Sequence, residues 1–352
     1  MKILAINPGS TSTKVALFEN EICLWKQVIE HADKELSSFK KIGDQYQYRL
    51  KAIMHTLQEK GCTIEKLSAI VGRGGLLKPL LGGTYLIDQF LVEESYYAPG
   101  GEHAANLGAI LAYYLAVPHN IPAYIVNPVT VDEMDPLARF SGLPELPRSS
   151  QSHALNIKAV AHKVAATLGK AYGDTNLVVV HLGSGISVTA HHRGKMIDVN
   201  NANNEGPFSA ERCGTLPSAK LIKLCYSGKY TEEQMLALLL KKGGLYAYLG
   251  IKDVREVEKH ANQGDEQAKL SLNAMCYQIA KEIGAMSTTL AGNVDRIILT
   301  GGMAHSKFIT EEIIRRVSFI APVVVVPGEE EMEALALGAL RVLRQEDPAL
   351  RY

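Results

Sequence analysis

The sequence lacks a charge surplus of either sign, because 37 Lys and Arg residues balance 37 Asp and Glu residues. Proteins that act on nucleic acid or on anionic membranes usually carry a basic surplus. The chain also has no apolar run of the about 18 residues that a membrane span needs. The stretch from Met1 to Gly9 turns after a short apolar run, which predicts no signal peptide. We therefore expect a cytoplasmic protein with no nucleic-acid or membrane partner.

Cysteine is scarce and unpatterned. The chain has five cysteines, an odd number, and none is spaced as CxxC: Cys23, Cys62, Cys213, Cys225 and Cys276. This distribution argues against a disulfide framework and against a structural zinc site. We expect reduced thiols.

Two common phosphate-binding motifs are missing as well, GxxxxGK[ST] and a GxGxxG that opens a helix. Glycine turns of another kind are present, at residues 7–14, 181–185 and 300–304. Glycine lets the main chain approach a ligand, and the phosphates of ATP are held by amides, hydroxyls, a cation and Mg²⁺. A single Gly-Ser turn is usually only a solvated β-turn. The first turn is denser, because four hydroxyl residues from Ser10 to Thr13 precede Lys14.

The two halves of the chain share a local pattern. Residues 4–10 and 178–184 both read as strand, polar residue, spacer and Gly-Ser turn, and a second strand follows each turn. Strands mix with helices in both halves, and 352 residues suit two domains of roughly 150 residues each. We predict two α/β domains with a cleft between them, residues 1–147 and 148–332, with the C-terminal helix at 333–352 packed on the first.

Periodicity and turn signals predict the individual elements. The predicted strands are residues 2–6, 14–18, 22–29, 67–71, 123–126, 177–181, 295–300 and 323–326. The predicted helices are residues 45–60, 103–115, 149–169, 235–242, 268–290, 306–317 and 331–343. Gly61 is expected to stop the first helix, and Thr231 with Gln234 forms a capping box before the fourth.

A hairpin in each half and a late strand ending in Gly301-Gly302 resemble the superfamily of acetate and sugar kinases, heat-shock chaperone ATPases and actin. Further motifs are similar to those of the acetate and butyrate kinase family, and the resemblance covers the whole chain. They are Asn7-x-Gly9-Ser10-x-Ser12-x-Lys14, His181-Leu182-Gly183-x-Gly185, Arg212-x-Gly214 and Glu330-Glu331. Residues 101–106 and 152–156 look closer to butyrate kinases. The resemblance implies two duplicated actin-like (ribonuclease H-like) domains, ATP/ADP and Mg²⁺ as cofactors, and a homodimer.

The resemblance also implies roles for individual residues. The nucleotide-binding positions are Asn7, Gly9, Ser10, Thr11, Ser12, Lys14, His181, Gly183, Ser184 and Gly185, with Gly301 and Gly302 facing adenosine. Asn7 and Glu330 match the metal positions. The catalytic candidates are Arg73, Arg212, Asn127, Asp132 and His153. Asn127 stands where the family has a catalytic aspartate, and the nearby Asp132 is a possible substitute.

The implied reaction is transfer of the γ-phosphoryl group of ATP to a carboxylate. A carboxylate is already a nucleophile at pH 7, with a pKa of about 4–5, so positioning and charge neutralisation remain as the main tasks. Arg73 has glycine on both sides, which favours a function for it. Acetate kinases carry bulky apolar residues where this chain has Gly74 and Gly75, which predicts room for butyrate, isobutyrate or another short branched acid.

Other functions remain open at this point. One is an acetate or propionate kinase. A second is a sugar kinase on the same fold, which needs an aspartate base that no clear DxG motif supplies. A third is an ATP-binding switch of low activity, which the presence of Asn127 favours.

Overall fold

A computed structural model describes every residue from Met1 to Tyr352. The strands are β1 (Lys2–Pro8), β2 (Ser12–Glu19), β3 (Ile22–Glu30), β4 (Ala69–Arg73), β5 (Thr84–Leu86), β6 (Ala123–Val126), β7 (Asn176–Leu182), β8 (Ile186–His192), β9 (Lys195–Val199), β10 (Arg296–Gly301), β11 (Val323–Pro327) and β12 (Ala349–Leu350). The helices are α1 (Asp33–Leu36), α2 (Tyr46–Glu59), α3 (Gln89–Tyr97), α4 (Asn106–Ala116), α5 (Ala154–Thr167), α6 (Ser218–Cys225), α7 (Glu232–Leu240), α8 (Gly244–Leu249), α9 (Val254–Asn262), α10 (Glu266–Thr289), α11 (Lys307–Val317) and α12 (Glu331–Leu343). None of the helices combines the length and apolarity that crossing a membrane requires.

The chain forms two compact units. Unit 1 consists of Met1–Asp132 and Glu330–Tyr352, and unit 2 of Glu133–Glu329. The first change of unit lies upstream of the predicted boundary at residue 147. Buried Glu133 explains the difference, since its carboxylate pairs with Lys158 Nζ at 2.7 Å and accepts the N–H of Met196 at 2.8 Å, both within unit 2. The division into domains at residues 1–147 and 148–332 stays a prediction.

Unit 1 is built on a seven-stranded sheet in the order β12-β5-β6-β4-β1-β2-β3. β1 is parallel to β4 and antiparallel to β2, and β4 is parallel to β6. Residues Ile3 to Ile6 of β1 are fully buried, as expected of a central strand covered on both faces. Helix α12 belongs to this unit although it follows unit 2 in the chain.

Unit 2 repeats the same arrangement in a five-stranded sheet, ordered β11-β10-β7-β8-β9. β7 is parallel to β10 and antiparallel to β8, as β1 is to β4 and β2. The order β6-β4-β1-β2-β3 of unit 1 therefore recurs strand for strand. This confirms the prediction of two duplicated α/β folds that each begin with a hairpin.

Most predicted elements are confirmed, including the capping box at Thr231, where the side chain accepts the N–H of Gln234. Gly61 follows α2 with φ +62°, a conformation that glycine adopts without strain. The helix predicted from residue 149 starts later, at Ala154. Several elements were not predicted, among them β5, β9, β12, α3 and α9.

Two glycines bring β4 and α4 into direct backbone contact. A Cβ atom on Gly72 would overlap the carbonyl group of Gly108, and a Cβ on Gly108 would overlap the backbone of Arg73. Only glycine at both positions permits this approach. The contact fixes the end of β4 and with it the position of Arg73.

Candidate active site

The candidate residues of unit 1 gather where three parallel strands end. Ile6 pairs with Gly72, and Arg73 pairs with Val126, so Asn7, Arg73 and Asn127 lie at the carboxyl ends of β1, β4 and β6. Ligands of open α/β sheets bind at this edge. The predicted residues of the first half are therefore brought together by strand register.

Glu331, the first residue of α12, connects two of these side chains. Its carboxylate is ion-paired with the guanidinium of Arg73, and its Oε2 accepts a hydrogen bond from Asn7 Nδ2 at 2.6 Å. The amide oxygen of Asn7 then remains available as an acceptor. Glu330, the predicted metal residue, is the N-cap of α12, and it is the neighbouring Glu331 that contacts Asn7.

The turn between β1 and β2 presents main-chain donors and hydroxyls to solvent. The N–H of Gly9 bonds to the carbonyl of Ser12 at 2.7 Å and closes the turn. Ser10 and Thr11 are exposed at its tip. Lys14 pairs with Asn7 across the two strands, so both side chains lie on one face of the sheet. This arrangement can bind an anion.

Asn127 and Asp132 are tied into the loops that follow β6. Asn127 has φ +40°, its Oδ1 accepts the N–H of Gly83 at 2.8 Å, and its own N–H donates to the Gly83 carbonyl at 3.0 Å. Asparagine tolerates this left-handed conformation better than most residues. The N–H of Asp132 donates to the Leu80 carbonyl. The structure thus shows a local structural role for Asn127, and catalysis by either residue stays a prediction.

The prediction that Gly74 and Gly75 leave extra room for the acyl group beside Arg73 is wrong. A Cβ on Gly74 would lie 2.6 Å from Pro128 Cβ, and a Cβ on Gly75 would overlap the side chain and backbone of Asn106. The space that these glycines leave is filled by the protein itself. Glycine is required there for packing, and it does not create a larger acyl site.

In unit 2, His181 is the penultimate residue of β7 and lies within a network of buried polar groups. Asn156 Nδ2 lies 3.0 Å from His181 Nδ1 and donates to Thr300 Oγ1 at 3.2 Å. Since the amide nitrogen faces Nδ1, the ring proton of a neutral His181 belongs on Nε2. That atom lies 3.1 Å from Glu329 Oε1, in a geometry that makes no hydrogen bond. His181 Nε2 is therefore a buried polar atom without a hydrogen-bond partner.

His153, the N-cap residue of α5, stacks on His181. The two imidazole centroids are 3.8 Å apart and the rings are nearly parallel, at 8°. His153 Nδ1 lies 3.0 Å from Ser187 Oγ. The contact places His153 behind His181, where it can orient that ring.

The second glycine turn packs directly against Arg212. A Cβ on Gly185 would lie 2.5 Å from Arg212 Nη1, so glycine makes room for the guanidinium. Ser209 Oγ donates to the carbonyl of Ser184, which turns this carbonyl toward the protein. Burial lowers the pKa of Arg212, and its Nη1 has only a long bond, 3.4 Å to the Ala202 carbonyl. A poorly hydrated cation with few partners favours an incoming anion.

A pocket of about 750 Å³ opens beside this turn. Gly183 and Ser184 line it on one side, Gly302 and Met303 on another, and Lys252 and Arg255 lie at its edge. Gly301 has φ +91°, and a Cβ there would lie 2.5 Å from the Leu182 carbonyl, so β10 and β7 approach closely at this point. The volume suits a small organic ligand such as a nucleoside.

Sequence reasoning missed several residues that position these groups. Arg49 lies behind the first turn, Ser209 behind the second, and Asn156 beside His181. Burial and the nearby Arg73 lower the pKa of His103. Asn156 and His103 lie in the stretches 152–156 and 101–106 that the sequence had already singled out.

Comparisons with known proteins identify relatives of this chain. The model of the Acetokinase family matches residues 148–331, just over half of the chain. Butyrate kinase 2 of Clostridium acetobutylicum is 50% identical over 352 residues, covering 100% of this chain and 99% of that protein.

Two solved structures share the fold. The acetate kinase of Porphyromonas gingivalis superposes with a TM-score of 0.80 at 21% identity, covering 97% of this chain and 99% of that one. A propionate kinase from Francisella tularensis gives a TM-score of 0.73 at 20% identity, covering 96% and 98%.

Proposed function

The chain belongs to the acetokinase family and is a carboxylate kinase, and we propose that its acceptor is butyrate or a similar short- or branched-chain fatty acid. The products are an acyl phosphate and ADP, and the reaction is reversible. The observation that supports this acceptor is the 50% identity with butyrate kinase 2 across the whole chain. The glycines beside Arg73 no longer contribute to the choice of acid.

We assign nucleotide binding to the two glycine turns and to the pocket of unit 2. In the turn between β7 and β8, Gly183, Ser184 and Gly185 offer main-chain N–H groups, and His181 Nε2 adds a buried donor. The pocket beside Gly302 would take adenosine. Asn7, Gly9, Ser10, Thr11, Ser12 and Lys14 would bind phosphate oxygens in unit 1. Main-chain amides, hydroxyls and one lysine are the groups that hold phosphates in other kinases.

The chemistry needs no strong base, because the acid is already ionised. Arg73 would pair with the substrate carboxylate, since a guanidinium can hold two carboxylate oxygens at once. Arg212 would neutralise the charge that builds up on the transferred phosphoryl group. His153 would act through His181. Asn127 and Asp132 remain candidates for orienting the acid.

The residues beside Asn7 fit a magnesium ion. Mg²⁺ prefers hard oxygen ligands and uses one or two carboxylates together with water and substrate phosphates. Asn7 Oδ1 and the carboxylate of Glu331 or Glu330 are such oxygens, and Glu331 lies next to Asn7. When bound there, Mg²⁺ supplies charge neutralisation on the phosphates of ATP.

We also propose that two copies of the chain form a homodimer. Four large apolar side chains of unit 2 are exposed within ten residues: Leu137, Phe140, Leu143 and Leu146. Contiguous exposed apolar groups usually mark an interface. A sedimentation-equilibrium measurement that found only monomer at micromolar concentration would contradict this. The cytoplasmic location stays a prediction.

The acceptor is tested by measuring acyl phosphate with hydroxylamine. Purified protein receives MgATP and straight or branched acids with two to six carbons, and kcat/KM is compared. We expect a maximum at a four-carbon acid, because each buried methylene adds about 1 kcal/mol of binding until the site is filled. A maximum at acetate would overturn the acceptor, and activity with sugars alone would overturn the reaction type. The Gly173→Ala variant is a suitable preparation control, since no atom outside its two chain neighbours lies within 4 Å of the added methyl group.

A further inference from the structure

Arg49 is a buried cation directly behind the turn between β1 and β2. It lies in α2, its side chain has 0% exposure, and it is the largest fully buried side chain of the protein. Its Nη1 donates to the carbonyls of Gly9 and Ser12 at 2.9 and 3.0 Å, and its Nη2 donates to the carbonyl of Ser10 at 2.9 Å. One guanidinium therefore holds three carbonyl groups of a single turn.

The remaining carbonyl of the turn is held by the residue that follows β3. The N–H of His31 donates to the Thr11 carbonyl at 2.9 Å. All four carbonyls from Gly9 to Ser12 thus accept hydrogen bonds from the protein. The N–H groups of Ser10 and Thr11 have no acceptor within the protein, and both residues are exposed. A turn whose carbonyls are bonded inward and whose N–H groups are free is an anion-binding concavity.

The charge of Arg49 is not cancelled by an acid. Its other partners are Gln45 Oε1, at 3.1 Å from Nε and 2.9 Å from Nη2, and the hydroxyl of Thr13 at 3.1 Å. Burial lowers the pKa of Arg49, and neither of the titratable groups that interact with its charge, Tyr48 and His31, is a carboxylate. A buried arginine normally requires an acidic partner, because an uncompensated charge is costly to desolvate. Stability alone therefore does not account for the unneutralised charge.

We propose that Arg49 is a positioning residue for phosphate binding, which holds the turn from Gly9 to Ser12 in its anion-binding form and adds positive charge behind it. This role rests on the proposed function, in which the turn binds the phosphates of ATP. The ligand that benefits is the phosphate chain, and the nucleoside is bound elsewhere, in the pocket of unit 2.

The test compares nucleotides that differ only in their phosphates. Dissociation constants for adenosine, ADP and ATP are measured by calorimetry for the wild type, Arg49→Met and Arg49→Lys. We expect Arg49→Met to weaken ATP binding roughly tenfold to a hundredfold, since hydrogen bonds from a charged donor are lost. Adenosine binding should change by less than about twofold. Arg49→Lys keeps the charge but loses the planar guanidinium, so its ATP affinity should lie between those of the wild type and Arg49→Met.

Two controls separate positioning from folding. Leu57→Ala removes a buried side chain from the same helix and should weaken adenosine and ATP equally or not at all. Millimolar guanidinium should restore part of the ATP affinity of Arg49→Ala, because it can occupy the vacated space. Equal losses for adenosine and ATP in Arg49→Met, or no loss in either, would overturn the role of Arg49. If the wild type binds ATP normally in that case, the proposed function stands, whereas a wild type that fails to bind ATP removes both.

Discussion

The position of Arg212 depends on a missing methyl group. The guanidinium lies where a side chain at residue 185 would begin, with Nη1 2.5 Å and Cζ 2.9 Å from the ideal Cβ position. A flexible side-chain end can move aside, so substitution there would displace the arginine and leave the backbone in place. Gly185 therefore tests the role of Arg212 without removing its charge.

We predict that Gly185→Ala lowers kcat on the order of a hundredfold, the usual effect of losing one transition-state contact. The KM for the acid should change little, and the thermal midpoint should stay close to that of the wild type. Steady-state kinetics with Gly173→Ala as the matched control measures this. A variant with normal kcat would show that Arg212 acts from another position or not at all.

A second single residue, His31, makes the stability of the folded protein depend on pH. Burial, followed by the repulsion of Arg49, lowers the pKa of His31 to about 4 from the ordinary 6.5. Its ring contacts Thr13 Oγ1 at 2.8 Å and packs edge-on against Tyr48. The neutral ring is thus the form that the folded unit accepts.

The direction of this pH dependence follows from proton binding at His31 in the folded and unfolded states. Between pH 6.5 and 4 the unfolded chain binds a proton at His31 and the folded chain does not, so the stability that is present above pH 6.5 is lost as the pH falls toward 4. We predict that His31→Gln loses less stability than the wild type over this window. Urea midpoints at several pH values measure the difference. His55→Gln, an exposed histidine of α2, should retain the wild-type slope, and equal slopes in all three proteins would refute the prediction.

Site residues that belong to a local motif could be predicted from the sequence. Residues that are distant in the sequence and are brought to the site by the tertiary structure could not. The turn from Gly9 to Ser12 and the turn at Gly183 carry their own signals. Arg49 carries none, because its function depends on α2 lying behind a turn about forty residues away, as the sequence numbers show. Likewise the ion pair between Arg73 and Glu331 joins residues 258 positions apart.

At the scale of elements, the close contact between β4 and α4 places a strict requirement on the sequence. It requires glycine at residues 72 and 108 on opposite sides. The sequence favoured a functional reading of the glycines around Arg73, and the structure shows that their reason is packing. Backbone atoms cannot move aside as a side chain can.

We predict that Gly72→Ala destabilises unit 1 by about 3 kcal/mol or more, the upper range for overpacking. Gly284→Ala is the contrasting substitution, because this glycine lies inside α10 and, apart from its chain neighbours and the adjacent helix backbone, no atom lies within 4 Å of the added methyl group. It should stabilise unit 2 by up to about 1 kcal/mol through helix propensity. Chemical denaturation measures both, and a neutral Gly72→Ala would mean that α4 can shift.

Strands and helices with long periodic patterns were predicted to within a few residues, as for β1, β7 and α10. β5 and β12 were not, because they have three and two residues and are formed by pairing with distant strands. Helix α9 was not predicted either, for a different reason. It has only nine residues, most of them polar, and its apolar face consists of the buried Val257 and the partly buried Val254 and Ala261.

At the scale of the whole molecule, duplication is visible in more than strand order. In both units the hairpin turn has carbonyls bonded inward, by Arg49 in unit 1 and by Ser209 in unit 2. The same local result is reached with a charged side chain in one copy and a hydroxyl in the other. The repeat could be predicted from residues 4–10 and 178–184, but this difference could not, since neither side chain lies within the repeated motif.

The return of α12 and β12 to unit 1 also has a consequence for synthesis on the ribosome. Unit 2 is a continuous stretch of the chain and emerges complete. In unit 1, β5 cannot pair with β12 until Ala349 has been translated. Glu331 likewise reaches Asn7 and Arg73 only after all of unit 2 has been translated. Domains generally fold as they emerge, the first one first. Here the half that begins first is finished last, so a nascent chain holds the pocket of unit 2 before it holds the cluster of Asn7, Arg73 and Glu331.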